Sequence, residues 1–448
     1  MSARRVRADG DFIMAIMRSA LGSMSIDDGT PEHSFEADVV IVGGAVGGAS
    51  MAHALAEYGI SCVLLERTPN IPEVNRGDVL QPLTLQFLDR WGIYSHVEAR
   101  GGFPLHEWNF YNPRVGHLAN WDFSSLPVKF NHQTILRHSS IHAAMYDAMV
   151  PKEALINVQR GATVQGMLVD DATQSVVGVM GKIGEERFEA RGRIIVAADG
   201  PRSKIREFLS IQQEERYTYD HEYLMLTTPR PKVPEMDRKG VQYVGRHGLV
   251  VLIPLDGGDD VRIPVQIPSG TLHEWRKLSA DELRYRLLVR APILESVDTS
   301  AAMDKLSHSY PVGWRHSDAY VRHNVCLIGE AARTVHPTTA QGMNMAILDA
   351  EVLAAVIKRC FEKDGVNENA LKLYETSRHP VAEMVMETSH HQTLHHTACG
   401  VWHDIWGVRM YRWGEDEEMK RDMSMSIAGL KNPTSKDLRI LEDAGIAA

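Results

Sequence analysis

A glycine-rich turn near the start of the chain has the residue types needed to hold a phosphate group. The segment VGGAVGG follows an apolar run and precedes a helical pattern, and on the pattern GxGxxG it contributes Gly43, Ala45 and Gly48. Small residues let a pyrophosphate approach the backbone and let the helix pack close to the strand. The free N–H groups of the helix start, from Val46 onward, would then bind the phosphates.

A carboxylate follows at the spacing expected for a nucleotide ribose. Glu66 ends the next apolar run, SCVLLE, 23 residues after Gly43. A carboxylate there can accept hydrogen bonds from ribose hydroxyls. The alternative is a glycine turn without a ligand and a glutamate at the surface. Strand, turn, helix and second strand together favour a βαβ unit that binds a dinucleotide.

A second stretch, AADGPRSKIR, places Asp199 and Gly200 at the end of another apolar run. Taken alone, it is equally typical of an Asx turn that caps a short helix, with Arg202 and Arg206 in solvent. Its interpretation therefore depends on the stretches around it.

The third stretch, IGEAARTVHPTTAQGMNMAILDAE, repeats the strand–glycine–helix arrangement far along the chain. Glu330 ends the apolar run and can bind hydroxyls, and a helical pattern begins at Gly342. Backbone N–H groups at a helix start can stabilise the negative charge of a reduced flavin. One helix start would hold a pyrophosphate and the other an isoalloxazine ring, so the pattern predicts one FAD across both.

The elements that position these residues predict an α/β fold with two interleaved domains. A capping box, Ser279 with Glu282, predicts a helix within the region of longer strands. The predicted divisions are a flexible tail at 1–36, the first part of a Rossmann-like FAD-binding domain (the GR2 type) at 37–212, a mostly antiparallel substrate-binding sheet at 213–320, the last part of the FAD-binding domain at 321–388 and C-terminal helices at 389–448.

Bulk composition limits the class of protein. The 448 residues carry a net charge of −10, which argues against a duplex nucleic-acid binder. The four cysteines are scattered without CxxC spacing, which fits a reducing cytoplasm. No apolar run reaches the roughly 18–20 residues of a membrane span. We expect a cytoplasmic protein, with peripheral membrane attachment through the acidic, Met-rich end as the alternative.

Two histidines in the sequence HHQTLHH have a spacing that can bind metal. His391 and His395 are four residues apart on a predicted helix. Because no carboxylate accompanies them as in HExxH, we expect a polar helix face or pocket wall and no metal.

The three stretches, in this order, resemble the class A flavoprotein monooxygenases, the para-hydroxybenzoate hydroxylase superfamily. The resemblance runs from about residue 37 to 388. The run GEAARTVHPTTAQGMNMAILDAEVLA is similar to ubiquinone-biosynthesis hydroxylases and to squalene epoxidase-like members. The match is specific for the superfamily and leaves the substrate open.

The resemblance implies roles for further residues. Arg76 would lie beside the cofactor, Arg137 would reach the FAD pyrophosphate or ribose, and the Asp199–Gly200 element would serve FAD and NAD(P)H together. Pro337 would face flavin and substrate, and no base is singled out. The residues expected at the cofactor are Gly43, Ala45, Val46, Gly48, Glu66, Arg67, Arg76, Arg137, Asp199, Gly200, Glu330, Gly342, Met343 and Asn344, with His336 and Pro337 as flavin-facing candidates.

Three positions depart from the family pattern. Glu330 stands where the family has an Asp, Arg333 where it has a His, and Ala340 where it has a Gly. The resemblance nevertheless implies FAD reduction by NADPH or NADH and transfer of one oxygen atom from O₂ through a flavin C4a-hydroperoxide. The family generally lacks a separate NAD(P)H domain, and the sequence shows no second dinucleotide fingerprint.

The substrate is expected against the antiparallel sheet. The candidates for its contacts are Tyr223, Met225, Tyr243, Leu252, Pro254 and Gln266. Because side chains alternate along a strand, only about half of them can face inward. Their apolar character favours a flat or hydrophobic small molecule, and ordinary core packing is the alternative for each.

The expected function is hydroxylation or epoxidation of an aromatic or prenylated small molecule in a biosynthetic pathway, by a monomer or homodimer. One alternative keeps the fold with other chemistry, a halogenase or an isoprenoid double-bond reductase. The WxWxIP motif of halogenases is missing, which disfavours the first of these. The other alternative is a protein that binds FAD without turnover as a partner-binding module.

Overall fold

Buried apolar runs that stop at glycine or acidic residues build the sheet at the centre of the molecule. In the computed structural model, residues 31–74, 78–173, 175–296, 309–398, 400–431 and 433–446 are described. The strands, numbered in chain order, are β1 (His33–Glu36), β2 (Val39–Val42), β3 (Cys62–Glu66), β4 (Val79–Leu80), β5 (Phe103–Leu105), β6 (Glu107–Asn112), β7 (Gly116–Asp122), β8 (Gln133–Ile135), β9 (Ile156–Arg160), β10 (Ala162–Val169), β11 (Val176–Ile183), β12 (Glu186–Arg191), β13 (Ile194–Ala197), β14 (Gln213–Pro229), β15 (Lys239–Tyr243), β16 (Val250–Leu255), β17 (Asp260–Pro268), β18 (Ser309–Ser317), β19 (Val321–Arg322), β20 (Val325–Leu327) and β21 (Arg333–Thr334).

Helices cover the sheets and form most of the C-terminal part of the described chain. They are α1 (Val46–Glu57), α2 (Pro82–Arg90), α3 (Tyr94–Ala99), α4 (His138–Asp147), α5 (Lys204–Phe208), α6 (Leu272–Trp275), α7 (Ala280–Leu288), α8 (Gly342–Arg359), α9 (Glu368–His396), α10 (Val401–Gly414), α11 (Glu417–Ile427) and α12 (Ser435–Asp443). The predicted capping box of α7 is confirmed, since Ser279 and Glu282 bond reciprocally. None of the helices in the described residues combines the length and apolar character needed to cross a bilayer.

The central sheet has the strand order β19-β20-β13-β2-β3-β9 and is parallel except at β19–β20. Strands β2, β3 and β13 are buried along their whole length, as expected for a parallel sheet covered on both faces. The three stretches singled out from the sequence follow β2, β13 and β20, which are neighbours in this order. Their loops therefore meet at one edge of the sheet.

A smaller four-stranded sheet takes in the start of the described chain. Its order is β1-β12-β11-β10, and β1 pairs in parallel with β12. The boundary of the predicted flexible tail at residue 36 was therefore wrong, because His33–Glu36 is a paired strand. Residues 1–30 of that tail lie outside the described residues.

The large sheet has the order β21-β18-β14-β17-β16-β15-β6-β7. Its pairs are antiparallel except β15–β6, which agrees with the predicted mostly antiparallel sheet. The strands β6, β7 and β21 come from outside the predicted range 213–320, so the two domains interleave more than expected. One face packs on α6 and α7 through Leu252, Ile263 and Trp275, and the other face lies toward the central sheet.

Candidate active site

A cavity of about 950 Å³ separates the loop edge of the central sheet from the open face of the large sheet. All three loops contribute to its wall, and so do strands β14, β16 and β17. A volume of this size reaches the upper part of the range for small-molecule and cofactor sites. The cavity has two ends, one among the loops and one against the large sheet.

Two positions of the first loop, Gly43 and Gly48, have no room for a side chain. Gly43 has a φ of +100°, and a side chain there would overlap the Ala198 carbonyl. A side chain at Gly48 would overlap the Gly43 carbonyl, so Gly48 serves helix packing and does not line the cavity. Ala45 caps α1 without a side-chain hydrogen bond. The N–H groups of the first turn, at Val46 and Gly47 on the cavity wall, therefore lack a side-chain cap.

The Gly44 peptide is held from both sides. Its N–H donates to Glu66 Oε2 at 2.7 Å, and its carbonyl accepts from His142 Nε2 at 2.6 Å and from the Tyr146 hydroxyl at 2.9 Å. Sequence reasoning missed His142 and Tyr146, although their i, i+4 spacing on α4 puts them on one face. The loop is thus fixed by groups far away in the chain.

Glu66 is a carboxylate at neutral pH. Burial alone would raise the pKa of Glu66, but hydrogen bonds from Thr68 and from Gly44 outweigh it and leave the pKa below its usual value. Oε1 already accepts two hydrogen bonds from Thr68, whereas Oε2 accepts from the Gly44 N–H and has room for a second bond, so Glu66 can still accept from a ligand hydroxyl through Oε2. Arg67 lies beside it at the cavity edge and is exposed.

Asp199 has one carboxylate oxygen without a partner. Its Oδ2 accepts from the backbone N–H of Lys204 at 2.8 Å and of Ile205 at 3.3 Å, whereas Oδ1 is buried and unpaired among the described residues. Burial raises the pKa of Asp199 because the charged form loses hydration. A donor from a bound ligand would satisfy Oδ1. Gly200, with a φ of +86°, lies beside it on the cavity wall.

Arg206 joins the second loop to the third. It is buried, and it donates to the Pro201 carbonyl at 3.1 Å and to the Ala331 carbonyl at 2.8 Å. The alternative that Arg206 is merely solvated is therefore wrong, because its guanidinium bridges two site loops.

A buried ion network holds the third loop. Asp349 of α8 accepts from the Gly329 N–H at 3.2 Å, from Arg333 at 2.6 Å and from Arg378 at 3.1 Å. Arg378 also pairs with Asp437 of α12 at 3.1 Å. Arg333, which departs from the family pattern, thus has a structural partner inside this chain.

The second helix start of the site also lacks a side-chain cap. Gln341 precedes α8 without a side-chain hydrogen bond to the first turn, and Gly342 and Met343 line the cavity. Glu330 lies on the wall nearby, as the sequence predicted. The two helix starts therefore border one cavity.

Two residues expected at the cofactor, Arg137 and Asn344, have side chains engaged elsewhere, and a third is not described. The Arg137 guanidinium pairs with Asp260 at 2.8 Å and does not line the cavity. The Asn344 side chain binds Gln81, Thr84 and Val79, so it ties α8 to the start of α2. Arg76 lies outside the described residues.

Side-chain alternation divides the substrate candidates. Tyr223 and Met225 line the cavity. Tyr243 and Leu252 belong to the core on the opposite face of the sheet. Pro254 is two residues after Leu252 on the same strand and therefore faces the same way. The expectation that these three residues contact the substrate is wrong. Gln266 lies on the right face, but its amide is engaged with Leu249 N–H at 2.8 Å and the Thr397 carbonyl at 3.2 Å.

Sequence reasoning missed the residues that β6, β7 and β15 bring to this end of the cavity. Trp108, Trp121 and Gln242 line it, and Trp108 is held by Gln133 at 2.6 Å. The Tyr223 hydroxyl and Gln242 Oε1 are buried without hydrogen-bond partners among the described residues. This end therefore combines flat apolar walls with two free polar atoms.

Of the two flavin-facing candidates, only Pro337 reaches the cavity. It lines the wall, whereas His336 is buried behind it with Nε2 3.1 Å from His221 Nε2. Burial lowers the pKa of His336 well below its usual value, so the ring is neutral.

Similarity to known proteins agrees with this geometry. A family model described as an FAD binding domain matches residues 36–389. Pentachlorophenol 4-monooxygenase of Sphingobium chlorophenolicum is 25% identical over 80% of this chain, which spans 65% of that protein. For 3-hydroxybenzoate 6-hydroxylase of Klebsiella oxytoca, identity is 27% over 80% of this chain and 89% of the relative. A crystal structure of p-nitrophenol 4-monooxygenase from Pseudomonas putida has a TM-score of 0.73 at 20% identity, covering 89% of this chain and 98% of the other.

Proposed function

Because the chain belongs to the class A FAD-dependent monooxygenases, we propose that it uses FAD and O₂ to hydroxylate a neutral aromatic small molecule. The observation that carries the proposal is one cavity that joins two uncapped helix starts to an aromatic-walled end with free polar atoms.

The residues on the wall fit FAD. Glu66 would hold the adenosine ribose, and the first turn of α1 would hold the pyrophosphate. The unpaired Asp199 Oδ1 is a buried acceptor that a hydroxyl of the bound cofactor would satisfy. The first turn of α8, at Gly342 and Met343, would lie at the isoalloxazine ring. These assignments support the proposed arrangement from both ends.

When bound, FAD supplies the redox chemistry with O₂, after reduction by NADPH or NADH. The chain itself binds and orients the reactants and keeps water away. Pro337 and Ala340 of the third loop line the cavity, and the apolar side chains of Met225, Val251 and Ile253 on the sheet side would exclude water.

The substrate end of the cavity favours a neutral aromatic molecule that carries a hydroxyl or N–H group. Trp108 and Trp121 offer flat walls, and Gln242 Oε1 can only accept a hydrogen bond. Two ion pairs reach the cavity wall, since Asp78 pairs with Arg262 at 2.8 Å and Arg333 pairs with Asp349, while Arg333 Nη1 is buried without a hydrogen-bond partner among the described residues. The unpaired acceptor Gln242 Oε1 would repel a substrate carboxylate.

The test is a screen with the FAD-loaded enzyme. Phenols and matched benzoates are compared for stimulation of NADPH and NADH oxidation, and products are examined by mass spectrometry for the gain of one oxygen. The proposal predicts stimulation and oxygen gain with phenols above benzoates. Stimulation by neither class, with FAD bound, would leave the FAD-binding partner protein as the better account.

Further parts of the proposal concern organisation and location. We propose a first domain at 37–212 and 321–388 and a substrate domain at 213–320 to which strands β6, β7 and β21 are added. We also propose a cytoplasmic monomer or homodimer that acts in a biosynthetic pathway. The three described cysteines, Cys62, Cys326 and Cys360, are buried and unpaired with one another, which suits a reducing compartment.

A further inference from the structure

We propose that Thr338, His336 and His221 form a path that carries a proton from the substrate end of the cavity to the surface at Asp220. The inference rests on the proposed function, because it needs a bound substrate that gives up a proton. It assigns a role to two buried histidines that do not line the cavity.

The path is continuous in hydrogen-bond distances. Thr338 lines the cavity, and its Oγ1 is 2.6 Å from His336 Nδ1. His336 Nε2 is 3.1 Å from His221 Nε2, and His221 Nδ1 is 3.3 Å from Asp220 Oδ1. Both histidines are buried, whereas the Asp220 carboxylate is fully exposed. The chain of atoms therefore begins at the cavity and ends in solvent.

A backbone donor fixes the direction of these hydrogen bonds. The Thr338 N–H donates to His336 Nδ1 at 3.2 Å, so Nδ1 of the neutral ring is the acceptor. The ring proton of His336 is then on Nε2 and donates to His221 Nε2. That leaves the His221 proton on Nδ1, where it donates to Asp220. Every donor in the path thus points from the cavity toward the surface.

The surroundings keep the two imidazoles neutral. Burial lowers the pKa of His336 and of His221. Tyr219 and Tyr223 of β14 face the pair, and burial raises the pKa of each hydroxyl. On α9, burial lowers the pKa of His390 and lowers the pKa of His396 to about 3. Among these neighbours only Asp220, at the surface end, is an acidic side chain, so no buried carboxylate stabilises an imidazolium inside the path.

The proton balance is complete along the path. A substrate O–H at Thr338 gives its proton to Oγ1 while the Thr338 hydroxyl proton passes to His336 Nδ1. The His336 Nε2 proton passes to His221 Nε2, and the His221 Nδ1 proton leaves to Asp220 or to water. The substrate becomes a phenolate, whose ring carbons are richer in electrons, and no electrons are transferred to the protein. The same moves in reverse restore both tautomers.

The alternative is that the histidine pair only ties the loop after β21 to strand β14. A structural pair can be replaced by any group that keeps the hydrogen bonds, whereas a proton path needs a ring that accepts at one nitrogen while donating at the other. His221→Gln keeps a hydrogen-bonding side chain and removes that property. Thr338→Val removes the first hydroxyl at nearly constant shape, and Thr338→Ser restores it. Tyr219→Phe is the matched control, because that hydroxyl bonds His390 at 2.9 Å and makes no direct hydrogen bond to Thr338, His336 or His221 among the described residues.

The experiment uses oxidised, FAD-loaded enzyme without NAD(P)H and 4-nitrophenol, whose phenolate absorbs visible light. Binding is read from the flavin spectrum, and stopped-flow absorbance gives the rate at which bound phenolate forms. We expect Tyr219→Phe and Thr338→Ser to match the wild type. We expect His221→Gln and Thr338→Val to bind the phenol but to form phenolate about 100-fold or more slowly, the lower end for general acid–base groups.

The outcomes separate the two proposals. Wild-type phenolate rates in both His221→Gln and Thr338→Val, with binding retained, would overturn the proton path and leave the proposed function intact. Failure of phenols to perturb the flavin spectrum of the loaded wild-type enzyme would overturn the proposed substrate class, and the path with it. If His221→Gln does not fold, the comparison of Thr338→Val with Thr338→Ser decides.

Discussion

Arg333 donates a hydrogen bond to Asp349 at 2.6 Å, and both side chains are buried. The pair joins the loop after β20 to α8, the helix that follows this loop. The same carboxylate accepts from the Gly329 N–H, so Asp349 of α8 holds the loop at two points. Asp349 therefore ties the loop that carries the wall residue Glu330 to α8. Preorganisation of this kind is what a site that stabilises charge requires.

Arg333→Met should destabilise the folded protein by about 3–5 kcal/mol. The buried Asp349 carboxylate would lose one of the two arginines that pair with it and would keep only Arg378. The measurement is the free energy of unfolding by urea. Arg315→Met removes an exposed partner of Glu215 and should cost less than about 1 kcal/mol. Equal effects of the two substitutions would show that the buried network does not hold the loop.

Gly48→Ala should weaken FAD binding roughly 10- to 100-fold, the equivalent of about 1–3 kcal/mol of overpacking. The added methyl group would overlap the Gly43 carbonyl and push α1 away from the loop. The FAD dissociation constant of the purified apoprotein gives the effect. Gly313→Ala is the control, since a methyl group there meets open space. Tight FAD binding by Gly48→Ala would contradict the assignment of this loop.

Tyr223→Phe should weaken phenol binding about 2- to 10-fold, the worth of one hydrogen bond, with no loss of stability. The hydroxyl meets no partner at hydrogen-bond geometry in the described residues, so its removal leaves no protein group unpaired. Tyr243→Phe alters the opposite face of the sheet and should leave binding unchanged. Phenol titrations of the loaded enzyme distinguish the two. A larger effect from Tyr243→Phe would place the substrate elsewhere.

Burial of His53 should make the free energy of unfolding decrease at acidic pH. His53 donates from Nε2 to the Met145 carbonyl at 2.9 Å, and Nδ1 is 3.4 Å from the Lys152 ammonium. Burial lowers the pKa of His53 to about 4, so its contribution to stability is complete above pH 6.5 and is lost as the pH falls toward 4. Relative to His53→Gln, the wild type should lose about 1.4 kcal/mol of unfolding free energy per pH unit in that window. Parallel stability curves would contradict this assignment.

Local patterns predicted the loops well because each loop depends on a few adjacent residues. Gly43, Asp199 and Glu330 follow strands that are neighbours in the sheet, and all three line the cavity. Long-range pairing could not be predicted in the same way. Trp108 enters the site only because β6 pairs with β15, about 130 residues later in the chain. The Arg137 guanidinium does not line the site and instead pairs with Asp260, which is 123 residues away in the chain.

The histidine pair shows a second limit of local patterns. Nothing in the spacing of His221 and His336 connects them, since β14 and the loop after β21 meet only in the folded sheet. Leu252 shows a related limit. The sequence predicted that alternate residues of this strand face the cavity, but not which alternate set does so. That choice depends on α6 and α7, which cover the face of the sheet where Leu252 lies.

The most direct test of the account is a titration of folded apoprotein with FAD, followed by absorbance and flavin fluorescence. The account predicts one tightly bound FAD per chain, with a perturbed flavin spectrum that phenols perturb further. Folded protein that leaves the spectrum and fluorescence of added FAD unchanged would contradict it.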